Sequence, residues 1–184
     1  MIGGNNKERV FFALWPDKDT RKALAERARV VHEIATEGRP IPEENLHVTL
    51  RFLGSISRRQ RKQAAAAARR IRRARFSLRF DRAGFWPQSK VAWLGCSDLP
   101  DPLLSLVADL NTELGSEGFD LYTRPYRPHV TVLRGVGELP ELPAIEPLDW
   151  EPERFVLVRS RLDESGSSYR VLDEWPLDAP APES

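Results

Sequence analysis

Leu46-His47-Val48-Thr49-Leu50 and Pro128-His129-Val130-Thr131-Val132 are near copies of one another set far apart in the chain, and no other feature restricts its folding as strongly. In an extended strand successive side chains point to opposite faces, so His and Thr of each copy share one face while the apolar residues take the other. Each copy therefore reads as a strand with an apolar underside and an imidazole beside a hydroxyl on top. Six of the 184 residues are Thr, so a given His meets a Thr two places later about one time in thirty by chance. Two of the three His do so here. Packing alone gives no reason to turn a His and a Thr outward on two separate strands.

The segments before the two copies also resemble each other. Arg9 to Trp15 is a continuous apolar run stopped by Pro16, which predicts a buried strand. Asp17 to Glu37 predicts an amphipathic helix with Leu24, Ala28, Val31 and Ala35 on one stripe and Gly38 as its cap. His32, inside that helix, is expected at the surface or the boundary with no chemical role. Arg39-Pro40-Ile41-Pro42 then delivers the chain to the first His strand, Asn45 to Leu53, which is expected to stop at Gly54.

A second helix is predicted over Ser57 to Ala74. Phe76–Phe80 and Lys90–Leu94 alternate and predict strands around a turn containing Gly84, Phe85, Trp86 and Pro87. A third helix, Asp98 to Gly118, carries Leu103, Leu106, Val107, Leu110 and Leu114 on one face. A linker from Tyr122 to Pro128 leads into the second His strand. Gly135 to Pro152, rich in Pro and Glu, reads as an irregular connection. Arg154–Arg159 and Ser168–Trp175 read as paired strands. A single domain over residues 1–178 is expected, with a disordered tail at 179–184.

Charge is unevenly spread under a formal net charge of +1. Arg58 to Arg82 holds eleven basic residues against one acid, whereas Glu138 to Ser184 holds twelve acids and four Arg. Such a basic run permits a polyanionic partner, although a solvated helix face is its commoner meaning. Cys96 is the only cysteine, which excludes an intrachain disulfide and a cysteine-based metal site and points to a reducing, cytoplasmic setting. The N-terminus lacks an apolar leader and no run approaches a membrane span.

No Gly-rich phosphate loop, His-Glu-x-x-His or dinucleotide fingerprint is present, so the two His-x-Thr units are the chemical constellation. Two imidazoles across a cleft, each with an ordinary pKa near 6.5, can divide into one neutral base and one protonated acid. Hydroxyls of Thr49 and Thr131 can donate to non-bridging phosphate oxygens and hold a phosphorus in line. Arg134 can supply a cationic clamp. These groups point to a phosphodiester reaction that needs no metal and no cofactor, with acid and base unassigned between His47 and His129.

The motifs, together with Arg9-Val10-Phe11-Phe12-Ala13, Asn45 to Gly54, Val91-Ala92-Trp93-Leu94-Gly95 and Arg127 to Arg134, resemble the 2H phosphoesterase superfamily. Within it the chain is most similar to the RNA 2',3'-cyclic phosphodiesterases, also called 2'-5' RNA ligases. The resemblance implies an α+β, bilobal fold of two pseudo-symmetric antiparallel β-sheets backed by helices around a central cleft. It implies His47 as the proton donor to the 3' oxygen and His129 as the proton acceptor from water, leaving a 2'-phosphomonoester. It also implies phosphate binding by Thr49 and Thr131, and a nucleotide base flanked by Phe52 and Arg134. Phe52 is five residues from His47, so a regular strand would face it the wrong way, and its role requires a bulge.

The implied partners are RNA with 2',3'-cyclic phosphate ends, or nucleoside 2',3'-cyclic phosphates, bound by a monomer, with reverse 2'-5' ligation as a second direction. Rival substrates are small cyclic nucleotides, ADP-ribose 1'',2''-cyclic phosphate and 2'-5' oligoadenylate. A non-catalytic nucleotide-binding module is the rival of another class.

Overall fold

The computed structural model describes residues 7–163 and 166–178. The predicted first strand forms as β1 (Glu8–Leu14), and α1 (Lys18–Ile34) comes next, its N-terminus capped by the Asp17 carboxylate accepting from Thr20 N at 2.8 Å. α1 ends at Ile34, short of Gly38, because Thr36 leaves the helix to bond Glu138 through backbone and hydroxyl. A two-residue strand, β2 (Arg39–Pro40), and a 3-10 turn (Glu43–Asn45) lead to β3 (Val48–Ile56), which runs through Gly54 where a stop was expected. α2 (Arg58–Arg69) opens with a Ser57/Gln60 capping box and ends before the expected Ala74, since Arg73 and Arg75 bond the backbone of Asp178.

The next strands differ most from expectation. Leu78–Phe80 (β4) does not pair with the strand near residue 91; β5 (Arg82–Trp86) takes that place beside β6 (Val91–Gly95). Gly84 is therefore in a strand and not in a turn. It is needed because the Trp93 ring lies flat over it, and a Cβ there would fall 2.0 Å from Trp93 Cζ2. The turn itself is 87–90, with Lys90 in the left-handed region at φ 53°. α3 (Asp101–Ser116) and β7 (His129–Arg134) form as predicted in kind. The Pro-rich stretch contains one short strand, β8 (Leu148–Trp150), which is the partner of β4, and β9 (Arg154–Asp163) pairs with β10 (Gly166–Pro176). Of the expected tail, residues 179–184 lie outside the described residues, while Asp178 is bridged to Ala74.

All but β4 and β8 join one path, β10-β9-β1-β3-β7-β6-β5, with β2 on β7. Its halves meet at a single residue pair, Val48 with Val130. That pair divides the sheet into two antiparallel leaves, β10-β9-β1-β3 and β7-β6-β5, each built as strand, helix, His strand. The helices exchange sides: α1 comes after β1 yet packs on β6 and β7, and α3 comes after β6 yet packs on β3 and α2.

The helices pack on one face of the sheet. Val10, Phe12 and Leu14 on β1, Val48 on β3 and Val130 and Val132 on β7 join Leu24, Ala64, Ala68, Leu103, Leu106 and Leu110 of the helices in the main core. Each fully buried Leu or Phe there contributes about 1.5–3 kcal/mol. The alternate residues Phe11 and Ala13 belong to a separate small cluster with Val156 and Val158 on the opposite face. Replacing Gly84 with Ala should force Trp93 off the sheet and cost about 1–3 kcal/mol of stability, read as a lowered denaturant midpoint; an unchanged midpoint would show that the ring relocates freely.

Candidate active site

The face opposite the helices carries the two His-x-Thr units. With Val48 opposite Val130 in an antiparallel pair, His47 stands across from Thr131 and Thr49 across from His129. The four side chains form a quartet around a pseudo-two-fold axis through the valine pair, the histidines on one diagonal and the threonines on the other.

Two β-bulges complete this arrangement. On β3, Thr49 pairs with Ala13 and Arg51 with Phe12, so Leu50 is an extra residue; Phe52 then pairs with Phe11 and shares the face of Thr49. On β7, Thr131 pairs with Trp93 and Leu133 with Ala92, so Val132 is extra; Arg134 then pairs with Val91 on the face of Thr131 and His129. The bulges fall one residue after each Thr, which makes Phe52 and Arg134 symmetry mates. The Val132 carbonyl at the second bulge is held by Ile41 N at 2.9 Å and by the His32 ring at 3.2 Å. His32 thus sits at the helix–sheet boundary, where it supports the backbone.

Both imidazoles are fixed in the same way. His47 Nδ1 lies 2.7 Å from the Asn45 carbonyl and His129 Nδ1 lies 2.8 Å from the Arg127 carbonyl. A carbonyl only accepts, so each Nδ1 carries the proton and each Nε2 of the neutral ring is an acceptor. Asn45 is buried and its side chain is anchored to the Ser167 carbonyl at 2.9 Å, so the first of these carbonyls is held from below. The Thr49 hydroxyl donates to His47 Nε2 at 3.2 Å.

Aromatic rings enclose each imidazole. Trp15 and Phe11 stack on His47 at 5.3 and 4.9 Å and Tyr169 meets it edge-on at 5.3 Å. Trp86 meets His129 edge-on at 4.5 Å and leans on Trp93. Burial in this setting, reinforced by the positive charges of His129 and Arg134, pushes His47 down to about 4. His129 is lowered by burial and by Arg134, against its bond to the Arg127 carbonyl. Without an anion between the rings, burial favours the neutral form of His47 near pH 7.

A cleft of about 810 Å³ opens beside the quartet, its wall including Thr49, Phe52, Trp86 and His129. His47, Thr131 and Arg134 do not line it, although His129 and Arg134 act on His47 through their charge. Three Arg and no carboxylate line the cleft. The basic run singled out in the sequence lies elsewhere. Arg61 pairs with Glu8, Arg70 with Glu113 and Glu117, Arg73 with Asp109, Arg75 with Glu153 and Arg79 with Asp149, tying α2 and its C-terminal extension to α3 and neighbouring segments on the helical side. These pairs are largely exposed and individually weak. Among the described residues no three of His, Cys, Asp and Glu gather as metal ligands would. The Asn45 and Arg127 carbonyls, the aromatic enclosure and Tyr126, whose hydroxyl donates to the Thr49 carbonyl at 3.1 Å, were not foreseen. Only the repeat of a polar residue two places before each His hinted at the carbonyls.

In NMR titrations the His47 ring should protonate with a midpoint near 4, and inorganic phosphate should raise that midpoint by favouring the imidazolium. Between pH 6.5 and 4 the unfolded chain takes up a proton at His47 that the folded protein refuses, so stability should fall as pH drops through that window. A ligand-free midpoint near 6.5 would contradict the enclosed site.

The family model for LigT like Phosphoesterase matches residues 14–93. An RNA 2',3'-cyclic phosphodiesterase of Escherichia coli (strain K12) is 33% identical over 172 residues, spanning 92% of this chain and 97% of its own. One from Thermus thermophilus is 30% identical over 179 residues, spanning 92% and 90%. Crystal structures of E. coli LigT superpose with a TM-score of 0.84, in apo form at 32% identity over 94% of this chain and 98% of that one, and complexed with 3'-AMP at 33% over 93% and 98%. Relatives this similar run almost end to end with this sequence and its two-leaved sheet, and the chain belongs to the LigT-like phosphoesterase family.

Proposed function

We propose that this protein is an RNA 2',3'-cyclic phosphodiesterase that opens the terminal cyclic phosphate to a 2'-phosphomonoester. The names of its relatives support that activity. The observation that carries it to this chain's own residues is the crossed His/Thr quartet, with both Nε2 atoms free of backbone partners, at the edge of a cationic cleft without carboxylates.

An in-line displacement needs its base and its acid on opposite sides of phosphorus. A phosphate over the Val48–Val130 pair has the two imidazoles on one diagonal and two hydroxyls on the other. His129 Nε2 takes a proton from water as the water oxygen bonds to phosphorus. The bond from phosphorus to the 3' oxygen breaks, and His47 gives that oxygen its proton. Thr49 and Thr131 donate to the non-bridging oxygens, with the Thr49 hydroxyl turning from His47 Nε2 to the phosphate. Arg134 balances the charge that builds there. Because His47 is neutral in the empty site, the substrate anion must arrive before the acid is charged; this couples protonation to binding and limits proton loss to bulk water. A ribose 5'-hydroxyl in place of water gives a 2'-5' bond by the same proton movements, without a nucleoside triphosphate.

Phe52 and Arg134, brought to this face by the bulges, flank the terminal base, since single-stranded RNA ends are held by stacking on rings and guanidinium planes. Every group in the scheme comes from one chain, so a monomer suffices. Cys96, whose thiol burial pushes up to about 11, is inert and suits a reducing cytoplasm.

An RNA oligonucleotide ending in a 2',3'-cyclic phosphate, incubated in excess chelator, should yield the 2'-monoester, and His47→Ala and His129→Ala should each lower kcat by at least about 100-fold. A 3'-monoester, or activity that survives either substitution, would overturn the scheme. The profile of kcat/KM against pH should be bell-shaped with its maximum below 6.5, since both imidazoles of the free enzyme are shifted down.

A further inference from the structure

The cleft wall holds more than the groups of the proposed reaction: Arg51, Tyr122 and Arg124 line it together with Thr49, Phe52 and His129. At about 810 Å³ it falls toward the upper end of the ~300–1,000 Å³ typical of small-ligand sites.

The Tyr122 ring is held in place while exposed. Tyr122 is 47% exposed, an unusual cost for an aromatic ring on a connector. Its backbone is pinned to α3 on both sides: Tyr122 N donates to Asn111 Oδ1 at 2.8 Å, and Asn111 Nδ2 donates to the Tyr122 carbonyl at 3.3 Å. The Arg51 guanidinium lies over the ring at 4.7 Å and is itself fixed by donating to the Asp120 carbonyl at 2.6 Å. Partial burial lowers the Arg51 pKa against the nearby charge of Asp120, and no carboxylate among the described residues forms an ion pair with Arg51 or Arg124. An ordered ring beside two arginines fits a base with its backbone phosphate.

We propose that Tyr122, Arg51 and Arg124 form a subsite for the nucleotide preceding the cyclic-phosphate end, Tyr122 stacking on its base and the two Arg holding the intervening phosphate. The preferred substrate is then an oligonucleotide end with an unpaired penultimate base, and nucleoside 2',3'-cyclic phosphates are poorer ligands. This rests on the reading of the site as one for RNA ends, and it is tested by binding, which does not depend on turnover.

Titration calorimetry should compare adenosine 2'-monophosphate with the dinucleotide ApA carrying a 2'-monophosphate. The wild-type protein should bind the dinucleotide about tenfold more tightly. Tyr122→Ala should bring the ratio of the two affinities close to one, and Tyr122→Phe should preserve it, since the ring and not the hydroxyl is used. Arg124→Ala should lower the slope of log affinity against log salt for the dinucleotide by about 0.7, as loss of one phosphate contact requires. Equal wild-type affinities, or a ratio that Tyr122→Ala leaves intact, would overturn the subsite. Tight dinucleotide binding without hydrolysis of the cyclic-phosphate oligonucleotide would instead overturn the hydrolase reading and leave the subsite standing.

Discussion

The site depends on one backbone contact, the pairing of Val48 with Val130, and on the course of the two strands immediately beyond it. At that pair the two leaves of the sheet are locked in register, which sets His47 across from Thr131 and His129 across from Thr49. One residue past each Thr, a bulge inserts Leu50 into β3 and Val132 into β7. A one-residue insertion reverses the facing of the residues that follow it until the next irregularity, which on β3 comes at Leu53. Side chains that alternation would send into the helical core, Phe52 and Arg134, are turned onto the polar face. The repeated sequence thus produces a repeated geometry, with the same distortion at the same step in both leaves.

The electrostatics of the site arise from where this face lies. The helices cover the opposite side, so the imidazoles are sheltered by aromatic rings from their own face: Phe11, Trp15 and Tyr169 for His47, Trp86 for His129. Shelter without a carboxylate disfavours the imidazolium, and the carbonyls of Asn45 and Arg127 only partly offset that penalty. In the proposed reaction an arriving phosphodiester is the counter-charge that would favour the imidazolium.

Much of this was legible in the sequence because periodicity and composition are local. The apolar run of β1, the stripes of α1 and α3 and the facing of His47, Thr49, His129 and Thr131 are all set by residues close together in the chain. Phe52 shows where locality ends: its spacing from His47 states that a bulge is required, but the bulge is a property of the pairing with β1 and could not be located from β3 alone. Gly84 misled for a related reason. Glycine signals a turn and also signals close approach by another residue, and here the second applies because Trp93 lies across it. The basic run after Arg58 suggested a polyanion surface, yet its partners, Glu113, Glu117 and Asp109, sit on a helix more than thirty residues later. Tyr122 and Arg51 meet across a still longer separation, so this part of the cleft wall has no local signature.

The central claim, that the crossed quartet holds a phosphorus in line between two imidazoles, is tested most directly by a crystal structure with a nucleoside 2',3'-vanadate. The account predicts vanadium above the Val48–Val130 pair, apical oxygens within hydrogen-bond distance of His47 Nε2 and His129 Nε2, and equatorial oxygens accepting from Thr49 and Thr131. Vanadate seated elsewhere in the cleft, or touching only one of the two histidines, would contradict it.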